Sequence, residues 1–129
     1  MTSWTSDELN QIGTADELQI ASFRSDGSLR KPVTIWVVRV NADLYVRSVN
    51  GRTSAWFRGA TMCHAGHIQA GGVDKDVTYV EEPDPEINHR LDDVYRKKYH
   101  RYGLGIVNTI VSADARSATI KLVPRIAST

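Results

Sequence analysis

The sequence predicts a mainly β, α+β fold: six antiparallel strands closed into a small barrel and flanked by two or three helices. Three observations carry this. Six segments show the period-two alternation or the β-branched enrichment of strands. Most connections between them are too short for parallel crossovers. Six strands in so short a chain leave exposed edges, which closure removes. The 129 residues suffice for one domain, 1–129, whose core needs no disulfide.

The elements follow in order. Thr5-Ser6-Asp7-Glu8 matches a capping box, so a short helix opens there, within an N-terminal segment 1–13. Leu9 and Ile12 share one face and Gly13 ends the run. From Glu17 the period becomes two, with Leu18, Ile20 and Ser22 on one side. Ser25-Asp26-Gly27-Ser28 is turn chemistry. Val33 to Val40 (VTIWVVRV) reads as the strongest strand, apolar on both faces, so a second subunit is expected to cover its outer face in a homodimer. Asn41-Ala42-Asp43 turns the chain and Leu44 to Val49 returns, which completes a meander. Thr53 or Ser54 caps a short helix carrying Trp56, Phe57 and Ala60. Strands over Cys63 to Ala70 and Asp76 to Glu82 follow, joined at Gly71-Gly72. Asp84 caps the longest helix, 84–102, with Pro85 at its first position. Leu104 to Val111 fits helix or strand, and Ser117 to Pro124 alternates as a closing strand.

Composition excludes several functions. The residues are 41% hydrophobic and 24% charged, which is ordinary globular composition. No apolar run reaches the roughly 20 residues that span a bilayer. The N-terminus lacks the basic and apolar regions of a secretory signal, so a cytoplasmic location with no membrane partner is expected. A net charge of +1 argues against a nucleic-acid partner, which needs a broad basic face. The charges are nevertheless uneven. Arg24, Arg30, Lys31, Arg39, Arg47, Arg52 and Arg58 face only Asp26 and Asp43 within Arg24 to Arg58. Such a segment suggests a local anion site, or else scattered solvated arginines.

Four constellations could carry chemistry. Arg47-Ser48, then Gly51, Trp56 and Arg58, place a guanidinium, a hydroxyl and a helix N-terminus around one turn, which suits a phosphate. A strand–turn–helix corner with surface arginines is the alternative. Arg30-Lys31-Pro32-Val33-Thr34 opens a strand with cations, for an anion or for a protected edge. Cys63, His64 and His67 have metal-ligand chemistry, but on a strand His64 faces away from the other two and a fourth ligand is missing, so no metal is expected. Tyr95, Tyr99 and Tyr102 form a helical stripe, for core packing or for a ligand wall. No nucleophile–base signature and no dinucleotide glycine motif occurs, so no catalytic side chain is named and a cofactor would carry any redox chemistry.

Phe23-Arg24-Ser25-Asp26-Gly27, Pro32 to Val38, Leu44 to Ser48, Gly51 with Trp56-Phe57-Arg58, Lys98-Tyr99 and Leu122-Val123-Pro124 together form a recognisable pattern. The chain resembles an uncharacterised bacterial family of the FMN-binding split β-barrel superfamily. That superfamily includes pyridoxamine-phosphate-oxidase-like proteins and deazaflavin-dependent nitroreductases. The resemblance implies a six-stranded split barrel and a homodimer with a small-molecule ligand near the subunit interface. It implies FMN as cofactor, with deazaflavin or no cofactor as alternatives. Arg47 and Ser48 match the strand end that holds the cofactor phosphate. Lys31, Pro32, Val33 and Thr34 match the strand beside the isoalloxazine ring, and Trp56 and Arg58 match the helix start. Gly51 stands alone where deazaflavin enzymes tend to carry a glycine pair. The implied activity is electron transfer from a nicotinamide donor through the flavin to a small acceptor. A non-catalytic flavin-binding or sensing protein, and a deazaflavin-dependent reductase, are the alternatives.

Overall fold

The computed structural model describes residues 3–125; residues 1–2 of the expected N-terminal segment and residues 126–129 of the expected domain lie outside the described residues. Helix α1 (Ser6–Thr14) opens on the full capping box, with Thr5 Oγ1 accepting from Glu8 N and the Glu8 carboxylate accepting from Thr5 N. Its Leu9 and Ile12 are buried in the barrel core.

Seven strands form one antiparallel sheet: β1 (Leu18–Ser22), β2 (Val33–Ile35), β3 (Val37–Val40), β4 (Asp43–Arg47), β5 (Ala65–Ala70), β6 (Val73–Glu81) and β7 (Thr119–Pro124). Their order is β2-β1-β5-β6-β7-β4-β3. The two edge strands, β2 and β3, are consecutive in the chain. The sheet therefore curls into a nearly closed barrel whose ends are joined by one residue, Trp36, and not by a ladder. This accounts for seven strands instead of six. The expected single strand Val33 to Val40 breaks at Trp36, because its first half pairs with β1 (Leu18 opposite Ile35) and its second half with β4 (Val37 opposite Val46).

The break also revises the reading of that segment's two apolar faces. β2 is largely exposed. In β3, Val37 faces the barrel core, while Val38 and Val40 face a second cluster containing Leu91, Tyr95, Tyr99, Val107 and Ile110. The outer face of β3 is thus covered by helices of the same chain, α3 (Pro85–Tyr99) and α4 (Leu104–Ile110), so its apolarity does not call for a second subunit.

Among the described residues there are five α-helices where two or three were expected. Asp84 caps α3 as the sequence predicts, whereas Ser54, one of the two residues expected to cap α2 (Ala55–Cys63), takes the N-cap position without a side-chain cap bond. The ambiguous segment is helical as α4, and α5 (Ala113–Ser117) is an additional short helix capped by Ser112 Oγ. Hairpin β5–β6 turns through Gly71 and Gly72, both with positive φ (57° and 85°), as a two-residue turn of this kind requires. At Gly66 a Cβ would lie 2.0 Å from the Ala21 carbonyl oxygen and 2.4 Å from the Tyr79 hydroxyl. Only glycine lets the Tyr79 phenol cross β5 and donate to that carbonyl.

The Tyr95–Tyr99 stripe is core: both rings are fully buried. The Tyr99 hydroxyl accepts from Val37 N and donates to the Asp16 carbonyl at 2.6 Å. Lys98 Nζ donates to the Ala15 and Val37 carbonyls, each at 2.6 Å. Burial pulls its ammonium down to about 8, against the charge of Asp16. Together Lys98 and Tyr99 fix the chain on the β3 side of the barrel's opening.

His67 on β5 sits between Asp74 and Asp76 of β6, with Nδ1 at 2.7 Å from Asp76. Burial lowers its pKa, but hydrogen bonds to the two carboxylates and their charge outweigh this, so the imidazolium is favoured above the ordinary 6.5. The folded value exceeds the unfolded one. The resulting stabilisation is therefore full below the ordinary value and is lost as pH rises through the raised one. An NMR titration should place the His67 midpoint above 6.5, and Asp76→Asn should bring it down. A wild-type midpoint at or below 6.5 would contradict this geometry.

Candidate functional site

A cleft of about 290 Å³ opens beside the gap in the barrel. That volume is at the lower end of the ~300–1,000 Å³ typical of small-molecule sites. Three parts of the chain build it. β2 and the junction contribute Val33, Thr34 and Trp36; the turn after β4 and the start of α2 contribute Ser48, Asn50, Ser54 and Trp56; α4 contributes Ile106, Thr109 and Ile110. Trp36 also stacks on Tyr99, with centroids 3.9 Å apart and planes 2° from parallel, so this wall is rigid.

The cleft's polar groups are neutral hydroxyls and an amide. Ser48 Oγ and Ser54 Oγ are 2.7 Å apart. One hydroxyl hydrogen serves that bond, which leaves the other for a ligand. Because the Ser54 side chain bonds Ser48, it makes no cap to α2, and the first-turn amides of this nine-residue helix keep their donors.

Against the expected site, the chain divides. Val33, Thr34, Arg47, Ser48 and Trp56 line the cleft together. Lys31 and Pro32 are exposed and do not line it. Gly51, with φ of 73°, begins a 3-10 turn and packs on Asp114 of α5, where a Cβ would meet the Asp114 carbonyl oxygen at 3.3 Å. Its role is in backbone packing.

Arg47 requires the main correction. Its guanidinium is fully buried and turned toward α3, and every one of its N–H groups has a protein acceptor. Nε donates to Thr119 Oγ1 at 3.0 Å. One terminal nitrogen donates to Asp92 at 2.5 Å and to the Ile110 carbonyl at 3.2 Å. The other donates to the Asn88 carbonyl and side-chain oxygen, both at 3.0 Å. Five donors meet five acceptors, so none remains for a phosphate. The Tyr95 ring lies beside this group, its centroid 5.3 Å from the guanidinium carbon. Burial pushes the Tyr95 phenol well above its ordinary value of 10.0, with the Arg47 charge opposing.

The free guanidinium chemistry lies one turn further along, at Arg58. Arg30, Ala55, Arg58, Gly59 and Met62 line a smaller pocket of about 200 Å³ along one flank of α2. Among the described residues neither arginine forms an ion pair, which is also true of Arg24, Arg39 and Arg90, whereas Arg47, Arg52, Arg96, Arg101 and Arg116 all do. Arg30 Nε is buried without a hydrogen-bond acceptor. It packs over Gly59, where a Cβ would come within 3.2 Å of it. Arg30 belongs to the basic run in the sequence; its meeting with Arg58 beside α2 was not legible there.

The Cys63-His64-His67 cluster does not lie along one strand. Cys63 ends α2 and His64 caps it with φ of 57°. No group of three or more His, Cys, Asp or Glu side chains able to hold a metal ion occurs among the described residues. No described helix is long and apolar enough to cross a membrane.

A family model described as "Uncharacterized protein conserved in bacteria (DUF2255)" matches residues 8–122. No curated protein matches the chain in sequence. Solved structures share its fold. One from Listeria innocua, a candidate pyridoxamine 5'-phosphate oxidase, superposes with a TM-score of 0.64 at 13% identity, covering 92% of this chain and 90% of that one. An F420 reductase gives 0.56 at 17% identity, covering 93% of each chain. An FAD-binding protein from Mesorhizobium loti gives 0.50 at 19% identity, covering 98% and 92%. At these identities the likeness establishes the fold alone, a split β-barrel.

Proposed function

The chain belongs to this bacterial family, and on that basis and its site geometry we propose that it binds a flavin, FMN in the first instance. The cleft residues would hold the isoalloxazine ring, and Arg30 and Arg58 beside α2 would hold the phosphate. The observation that carries the reading is the pair Arg30 and Arg58, free of carboxylates, with a buried Arg30 Nε lacking an acceptor over Gly59 on the flank of α2. Such a group is costly to bury unmatched and is satisfied by an anion's oxygen. The fit extends to the cleft, whose apolar walls and neutral hydroxyls suit a flat heteroaromatic ring. The flavin-type and deazaflavin-type proteins among the fold's relatives support the same class of cofactor.

When bound, the flavin supplies electron transfer between a nicotinamide donor and a small acceptor. The chain's own residues bind and orient. Arg30 and Arg58 hold the phosphate, Ser48 or Ser54 donates one hydroxyl hydrogen to the ring, and Trp36, Trp56 and Ile106 exclude water from it. Thr34 and Val33 lie along the exposed edge strand, and a second copy of the chain packs there against Val33, Val49 and Ile106, which are 39%, 49% and 53% exposed.

A second reading, a flavin-binding protein without turnover, is favoured by one observation. The cleft is lined by no His, Asp, Glu, Lys, Cys or Tyr, so no side chain there serves as a general acid or base.

Adding FMN and then desalting tests both. The protein should keep a flavin spectrum shifted from free FMN, with the sedimentation mass of two chains. Anaerobic NAD(P)H should then bleach it, and a small acceptor should restore it. Retention without bleaching selects the second reading; loss of all colour on desalting contradicts both.

A further inference from the structure

Arg47 and Arg116 reach Asp92 from opposite sides. Asp92 Oδ1 accepts from Arg47 at 2.5 Å and Oδ2 from Arg116 at 2.7 Å. Each arginine also donates to a carbonyl at the end of α4: Arg47 to Ile110 at 3.2 Å and Arg116 to Val111 at 3.2 Å. Carbonyls at a helix C-terminus carry partial negative charge, so two cations there are well placed. The other end of α4 is loose. It starts at Gly103, with φ of 97°, no side-chain cap, and no atom within 4 Å of where a Cβ would stand. Leu104 and Ile106 on its first turns are 76% and 53% exposed. Ile106, Thr109 and Ile110 of this same helix are one wall of the cleft.

We propose that the Arg47–Asp92–Arg116 clamp sets the position of α4, and thereby the width of the cleft. Arg47 is a positioning residue for the ring site, acting through Ile110. This deepens the flavin reading and rests on it for the identity of the ligand. The clamp itself is a property of the chain alone. It assigns Arg47 a role that is indifferent to the ligand's phosphate, unlike Arg30 and Arg58.

The test uses the full chain with Arg116→Ala, which is half-exposed and leaves the buried Arg47–Asp92 pair intact, and with Arg47→Lys, which keeps the charge but loses the planar fork. Hydrogen exchange is read over 104–111 against β5 and β6 in the same sample. In both variants α4 amides should exchange about tenfold faster, as expected for one lost charge-assisted bond, while β5 and β6 stay as in wild type. Affinities for FMN and riboflavin should fall by one common factor, leaving their ratio unchanged. Unchanged α4 exchange in Arg116→Ala overturns the clamp. A selective loss of FMN in Arg47→Lys overturns the positioning role. If wild type binds neither flavin, the flavin reading fails, and the exchange comparison still decides the clamp.

Discussion

Arg30→Ala and Arg58→Ala each weaken FMN binding about tenfold to a hundredfold and leave riboflavin affinity at the wild-type level. A charge-assisted hydrogen bond contributes about 1.5–3 kcal/mol, and each 1.4 kcal/mol is about tenfold in affinity. Riboflavin carries the same ring without the phosphate, so it reports the cleft alone. Neither arginine has a carboxylate partner among the described residues, and removing one strands no buried charge. Both variants should therefore fold. The double variant should lose most of the preference for FMN. Calorimetric or fluorescence titration with both ligands reads the effect. Equal losses for FMN and riboflavin would move the phosphate away from α2.

Arg47→Leu destabilises the chain by about 3–5 kcal/mol, the usual cost of breaking a buried ion pair from one side. The substitution strands Asp92, which is 4% exposed at its side chain, with only the peripheral Arg116. It also leaves Thr119, Asn88 and the Ile110 carbonyl without their donor. Against the ~5–15 kcal/mol that holds a domain of this kind together, that is a large fraction. Urea denaturation of wild type and variant measures it. Adding Asp92→Leu should recover part of the loss, because two apolar side chains in place of a buried pair leave no unmatched charge. A change below about 1 kcal/mol in the single variant would mean that the network contributes little.

Much of the barrel was legible because its signals are local. The Thr5–Glu8 capping box, the Asp84-Pro85 start and the Gly71-Gly72 turn each depend on residues within one turn of chain. What stayed hidden depends on partners far away in sequence. No glycine or proline marks the break at Trp36; it exists because β1 and β4 lie at opposite ends of the curled sheet. Five-residue α5 is too short to show a periodicity, although Ser112 is an ordinary cap. For Arg47 a signal was present and distributed. It alternates with Leu44 and Val46, and so shares the face of Tyr45 under α3. On α3, Asn88 and Asp92 fall on the same stripe as Leu91, Tyr95 and Tyr99. Two polar residues on a buried stripe announce a buried partner, and Arg47 is that partner. Strand periodicity alone does not say which face is covered, so a cation at a strand end reads equally well as facing a ligand.

The direct test of the whole account is calorimetric titration of the wild-type chain with FMN, with riboflavin, and with FMN in the presence of inorganic phosphate. The account predicts one FMN per chain, weaker binding of riboflavin, and competition by phosphate against FMN alone. No binding of FMN, or FMN bound no more tightly than riboflavin and unaffected by phosphate, would contradict it.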